Sequence, residues 1–456
     1  MQPKIGDFIA DGASRHRLRK GVILISADEF RREATREHQS LVVRRANNLI
    51  EARAELEGYT VAIDKGHQAV VYVVTPMSTV HTPVHRQKFF EKLASALICL
   101  AQAAAEINLK LIGAGMNPFK IQESDQPPAL CADIHEIEVL DDLEINRIYN
   151  LFRQYLPELL AISSHSALYN GNLQKDLSTR MRHNPTSFTP PSLTLFSSRQ
   201  LDRLKRAVRK DFGLGDLTQL DVNPVSPNVI VLRFIDAQTS LQFIRAQVLL
   251  FQAIAVHGRM LARQGSQIPV LHSRVIGANK ALAIEAGPGA IFKPDRRREI
   301  ERKTAWYQDR QAAERASTTL LEMLHHQTIR DSPPMIKALQ TLKADYIELL
   351  PFLLGAELRK RGEACLVNYS EYQLWLFHTN KQGWASQLIS DYDRMLFDAN
   401  YDWMAEFNKT KFPELKVHIG LEWRRYLTPQ QNSGPNQPPP RRFQSNRQND
   451  KRKERR

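Results

Sequence analysis

The sequence predicts a mixed α+β fold, and three observations carry that expectation. Short apolar runs with strand-like composition are separated by long stretches of helical periodicity. The two kinds of element do not alternate regularly, so a parallel βαβ sheet is not indicated. Neither GxGxxG nor GxxxxGK[ST] occurs, which removes the dinucleotide-binding site and the P-loop from consideration.

Residues 1–20 are polar and basic and read as an N-terminal arm. Residues 21–25 (GVILI) make a short buried strand, and residues 29–55 carry Leu, Val, Glu and Arg at helical spacing. Residues 59–64 and 69–75 (AVVYVVT) read as strands, the second apolar on both faces and therefore central. Pro76 and Pro83 bracket a loop, and an Ala/Leu-rich helix follows over 87–109. Residues 111–115 and 132–140 (ADIHEIEVL) read as further strands, the latter alternating polar and apolar. A strong helical pattern covers 143–162.

Residues 165–199, rich in Asn, Ser, Thr and Pro, read as loop, and 198–213 as a basic amphipathic helix. Residues 228–235 (NVIVLRFI) form a strand and 240–263 a long helix. Beyond Pro294 the pattern is mainly helical to about residue 407, broken at Pro333, Pro334 and Pro351. Trp375, Trp384, Trp403 and Trp423 imply that this part is packed rather than trailing. From about residue 430 the composition turns to Pro, Gln, Asn and Arg, which cannot bury enough apolar surface to fold alone.

The 456 residues are 42% apolar and 25% charged, as expected of a globular protein. The most apolar stretches, 93–107 and 246–260, are interrupted by polar residues and too short for a membrane span. The N-terminus lacks the pattern of a secretory signal. Cys99, Cys131 and Cys365 are far apart and odd in number, which fits a reduced, cytoplasmic setting. The net charge of +14 is concentrated: residues 441–456 hold eight Arg/Lys against Asp450 and Glu454, and a second basic run (KPDRRREIERK) begins at Lys293. Such charge suits nucleic acid or another anionic partner, or merely a solvated tail. No RNA-binding fingerprint or zinc finger accompanies it.

Four separated segments, in order, resemble glutamate–cysteine ligase family 2. Residues 115–119 (GMNPF) are similar to a Gly-x-His-Pro-Phe turn, with Asn117 for the His. Ile134 and His135 match a Val-His strand, followed by the LPELLAIS helix and a Gly-x-Asp-x-x-x-x-Ser-x-Arg loop. Here that loop runs from Gly171 to Arg180, with Ser178 and Arg180 kept and Leu173 at the Asp position. DVNPVSPNVIVLRFIDAQ resembles Asp-Val-Arg-Pro … Glu-Val-Arg-x-x-Asp: Asp221, Pro224, Arg233 and Asp236 remain, while Asn223 replaces an Arg and Val231 a Glu. NKALAIEAGPGA retains Asn279, Ala283, Gly287 and Ala290, with Lys280 for an Arg.

The resemblance implies a glutamine-synthetase-like fold, a curved, mainly antiparallel sheet with helices packed on its convex side. It implies an ATP-dependent carboxylate–amine ligase, in which a substrate carboxylate attacks the ATP γ-phosphate and an amine then displaces phosphate. That chemistry needs magnesium, a hard cation requiring several oxygen ligands. The positions at which the family places its metal-binding glutamates read Ile23, Ile25, Tyr72 and Val231. Asp28, Glu29 or Asp64 nearby, or the acids Asp133, Glu136 and Glu138 around His135, are the alternative oxygen sources. A charged, surface-exposed strand with a hydrogen-bonded histidine is the plainer reading of the latter group. His16 and the pair His325–His326 lack companion ligands at metal spacing and are set aside.

Arg180, Arg233, His135, Ser178 and Asn279 are the candidates for contacts to substrate or phosphate. Each arginine could equally form a structural ion pair, Arg233 with Asp221 or Asp236. The expected organisation is an arm (1–20), a ligase-like core (21–292), a mainly helical part (293–430) and a basic tail (431–456). The expected function is a degenerate relative of these ligases that binds a small carboxylate or nucleotide, or serves a protein partner. An active ligase with displaced metal ligands is the alternative, and nucleic-acid binding through the tail a third.

Overall fold

The computed structural model describes residues 15–27, 32–64, 69–120, 128–184, 220–226, 228–265, 271–287 and 369–397, with 202, 206, 209, 290, 292 and 342 singly. The basic helix expected over 198–213, most of the helical part and the whole tail lie outside the described residues.

The central element is β1 (Arg15–Ser26), which pairs antiparallel with four other strands. The main sheet runs β2-β3-β1-β6-β10-β9, formed by β2 (Thr60–Ile63), β3 (Val70–Val74), β6 (Ile134–Glu138), β9 (Val222–Ser226) and β10 (Val229–Leu232). β4 (Ser78–Thr79) and β5 (Leu109–Ile112) also pair with β1. Every registered pair is antiparallel, so the architecture is α+β with an antiparallel sheet.

The strand begins six residues earlier than the sequence reading allowed, because RHRLRK alternates charge with His, Leu and Lys at period two. Residues 15–20 are therefore part of the central strand and not of an arm. His16, Leu18, Lys20, Val22 and Leu24 are fully buried on one face. Gly21 marks the middle of the strand: a Cβ there would lie 2.4 Å from the Ala132 carbonyl oxygen and 2.7 Å from Cys131 Sγ.

One face of the sheet packs against the long helices. α1 (Arg36–Glu51) and α2 (Pro83–Ala105) cover the β1–β3 half through Val42, Ile50, Phe89, Leu93 and Leu97. α3 (Asp142–Ser163), α5 (Leu241–Arg263) and α6 (Ser273–Ala286) cover the β6–β10–β9 half. Thr35, Thr82, Asp141 and Ser240 cap their helices through side-chain oxygens, and Pro83 occupies the first turn of α2, where its missing N–H costs nothing. α3 continues through Pro157.

Between α3 and β9 the expected loop contains β7 (Leu168–Tyr169), β8 (Asn172–Leu173) and the five-residue α4 (Thr179–His183). α7 (Tyr369–Thr379) and α8 (Trp384–Phe397) add side chains to the core of the opposite sheet face. Among the described residues no helix is long and apolar enough to cross a membrane.

Candidate functional site

Ile23, Ile25, Tyr72 and Val231 all lie on the sheet face away from the long helices. Register sets this: Ile23 pairs with Val70 on one side and Ile112 on the other, Tyr72 sits opposite Gly21, and Val231 opposite Glu136. Their exposures are 0%, 0%, 8% and 3%. They belong to a single apolar cluster that also takes in Ile112, Phe119, Ile134 and Leu168. Tyr372, Leu376, Leu388, Ile389 and Tyr392 from α7 and α8 extend the same cluster, and Trp384 stacks on Phe119 with ring centroids 6.0 Å apart.

The Tyr72 hydroxyl is hydrogen-bonded to Asp64, one of the alternative oxygen sources. Burial, reinforced by Cys131 and Asp64, pushes the phenol well above its usual range. Asp28 and Glu29 lie outside the described residues. Among the described residues no group of three or more His, Cys, Asp or Glu side chains is placed to hold a metal ion.

Next to this apolar cluster lies a buried polar centre on Asp236. Its carboxylate accepts from Arg180 Nε (2.7 Å), Ser166 Oγ (2.7 Å), Ser178 Oγ (3.1 Å) and the His165 backbone N–H (2.7 Å). Arg180 is 3% exposed at its side chain and Asp236 not at all. Ser370 of α7 joins the same loop, accepting from the Ser166 N–H and donating to the Leu177 carbonyl. Two of the retained motif residues, Ser178 and Arg180, thus converge on a third.

Asp133 forms a second buried centre, accepting from Lys20 Nζ (2.8 Å) and from the backbone N–H groups of Gly21 and Gln238. Burial pushes its carboxyl upward while Lys20 pulls it down. His135 sits beside it on the helix-packed face. The Gln252 amide donates to His16 Nδ1 at 3.0 Å, which leaves His16 Nε2 to donate to His135 Nδ1, also at 3.0 Å. Both rings are fully buried, and burial lowers His16 to about 3 and His135 well below the usual imidazole range. His16, set aside from sequence, is therefore the hydrogen-bonding partner of the candidate His135. The period-two alternation of the strand was the signal for it.

Arg233 donates its backbone N–H to the Asp221 carbonyl oxygen, while the Asp221 side chain takes an ion pair from Lys280. Asn279 is buried on α6. Asn117 accepts from the Phe119 N–H at 3.0 Å and bonds the Glu33 carboxyl, which burial pushes up to about 7. Glu33 pairs in register with Ile25, a placement with no counterpart in local sequence.

Glu136 and Glu138 share one face of β6, with Asp133, just before the strand, on the other as alternation requires, but the strand is not surface-exposed: Glu136 is 4% exposed. It accepts from Arg17 Nη1 (3.1 Å) and Arg19 Nε (2.7 Å), and Glu138 from Arg15 Nη1 (3.0 Å). Three arginines at alternate positions of β1 thus face two carboxylates, directly beside Val231 and Val229. This grouping was missed because each basic residue read as arm.

The observed class is an α+β protein with an antiparallel sheet, helices on one face and an apolar cluster on the other. No protein-family model matches the sequence, and no curated protein does. Among solved structures, the chain is similar to the complex between the prokaryotic ubiquitin-like protein Pup and its ligase PafA. That match has 10% identity and a TM-score of 0.43, over 91% of this chain and 80% of the other. It is also similar to glutamate–cysteine ligase from Francisella tularensis in complex with AMP. Here the identity is 10% and the TM-score 0.41, over 91% of this chain and 97% of the other.

Proposed function

We propose that the chain is a degenerate relative of ATP-dependent carboxylate–amine ligases, a non-catalytic small-molecule-binding or partner subunit. The observation that carries this reading is the joining of Ile23, Ile25, Tyr72 and Val231 in one apolar cluster. Magnesium requires several close oxygen ligands. Ile and Val have no lone pair to offer, and the Tyr72 hydroxyl is engaged with Asp64. These residues do not fit a magnesium ion, and no phosphoryl-transfer step is routed through them.

Arg180 and Ser178, in this reading, hold the loop 164–180 to Asp236 and keep its framework rather than contacting substrate. A reducing, cytoplasmic setting accords with Cys99 and Cys131, both buried and free. The test is release of ADP and phosphate by full-length protein given ATP, magnesium, glutamate and a panel of amines. The expected result is background release. Turnover that scales with protein and vanishes in EDTA would overturn the proposal and favour an active ligase with displaced ligands.

A further inference from the structure

The sheet face that carries the four positions also carries charge, and its sign is opposite to that of a metal site. Arg15, Arg17 and Arg19 stand at alternate positions of β1, with side chains 41%, 37% and 42% exposed. Alternate residues of a strand are roughly 7 Å apart, which is within reach of successive phosphate groups. Glu136 and Glu138 are the carboxylates they meet, which leaves this group one positive charge in excess.

The guanidinium donors are only partly committed. Arg17 gives one N–H to Glu136, Arg19 gives Nε and Nη2 to it, and Arg15 gives one to Glu138 and one to the Met77 carbonyl. Each guanidinium has five N–H groups, so every one of the three keeps donors in hand.

A second observation lies in the same row. Register runs from Arg17 to Glu136, from Glu136 to Val231 and from Val231 to Asn223, three strand spacings or roughly 14 Å. Asn223 is fully buried, yet neither its amide nitrogen nor its oxygen has a partner among the described residues. Leaving such a group unbonded costs about 1–3 kcal/mol, so a side chain of this kind marks a place for a polar guest.

We propose that this face binds a phosphate-bearing anion directly through Arg15, Arg17 and Arg19, with guanidinium charge in place of a divalent cation. The proposal rests on the reading of the four positions as closed to magnesium. Planar guanidinium groups suit the task because they pair two N–H donors with two phosphate oxygens and stay charged at any working pH. Glu136 then acts as an internal competitor for Arg17 and Arg19.

The experiment is calorimetric titration of the full chain with ADP, ATP and inorganic pyrophosphate, each in EDTA and in magnesium. Saturable binding in EDTA, weakening as salt rises and not improved by magnesium, is expected. R17Q/R19Q should weaken it at least tenfold, and E136Q should tighten it severalfold. Pyrophosphate binding as strong as ADP would place the specificity in the phosphates, and tighter ADP binding would place part of it in the nucleoside; both support the site. Should R17Q/R19Q fail to fold, R15Q serves, since it leaves the Glu136 pairs intact; a loss of about threefold is expected. Absence of binding in EDTA, or unchanged affinity in folded R17Q/R19Q or in R15Q, overturns the anion site and leaves the non-catalytic reading standing. ATP binding that requires magnesium overturns both.

Discussion

Replacing Asp236 by Asn removes the charge on which Arg180, Ser166, Ser178 and the His165 N–H converge. The Arg180 side chain, 3% exposed, has no route to water and keeps its charge within the core. Removing one partner of a buried pair costs about 3–5 kcal/mol, far more than a neutral hydrogen bond at about 1 kcal/mol. With urea slopes of about 3 kcal/mol per molar, the midpoint should fall by about 1–2 M at unchanged slope. Equilibrium unfolding followed by circular dichroism gives the number. The double variant R180M/D236L should recover much of the loss, because it leaves no uncompensated charge. A midpoint for D236N within about 0.2 M of wild type would refute the assignment of Asp236 as the centre that holds the 164–180 loop.

Stability should rise with pH across the acid range. His16 and His165, with pKa values lowered by burial to about 3, and His135, lowered by burial and by the charges of His16 and Lys20, take up protons on unfolding. Their stabilising contribution is present above about 6.5 and is lost as pH falls toward 3. Glu33, raised to about 7, works the other way between about 4.5 and 7. H16Q should reduce the slope between pH 4 and 6 by about 1.4 kcal/mol per pH unit, and an unchanged slope in urea titrations would count against a buried neutral ring. G115A should destabilise by about 1–3 kcal/mol, since its Cβ would lie 2.8 Å from Asp236 Cγ; a neutral effect on thermal unfolding would show that the carboxylate can move. S370A removes one of two acceptors of the buried Ser166 N–H, the other being the Leu177 carbonyl at 3.3 Å, and with it the Ser370 donation to that carbonyl, so hydrogen exchange in α7 should quicken with a loss of about 1 kcal/mol. Unchanged exchange would mean that α7 is held by its apolar contacts alone.

The α+β class was legible because alternation and helical periodicity are local properties. AVVYVVT and ADIHEIEVL gave strands within a residue or two of β3 and β6. α2 begins at Pro83 rather than 87, although Thr82 and Pro83 carry the cap and first-turn signals in the sequence itself. RHRLRK was read by charge instead of period, and with it were lost both His16 and the arginine row. The sheet order could not be read, because pairing β1 with β6 joins residues more than a hundred positions apart. Glu136, Asp236 and Asn223 acquire their surroundings only through such pairings. The four apolar positions were individually visible, but their meeting in one cluster with Tyr372, Leu388 and Tyr392 follows from tertiary packing alone.

The most direct measurement of the central claim is the thermal unfolding midpoint of the full chain with ATP in EDTA and with ATP in millimolar magnesium. A ligand that binds only the native state raises stability by about 2.7 kcal/mol at one hundred times its dissociation constant. A face with Ile23, Ile25, Tyr72 and Val231 in the metal positions should give the same midpoint in both. A saturable rise with magnesium, abolished by EDTA, would contradict the account.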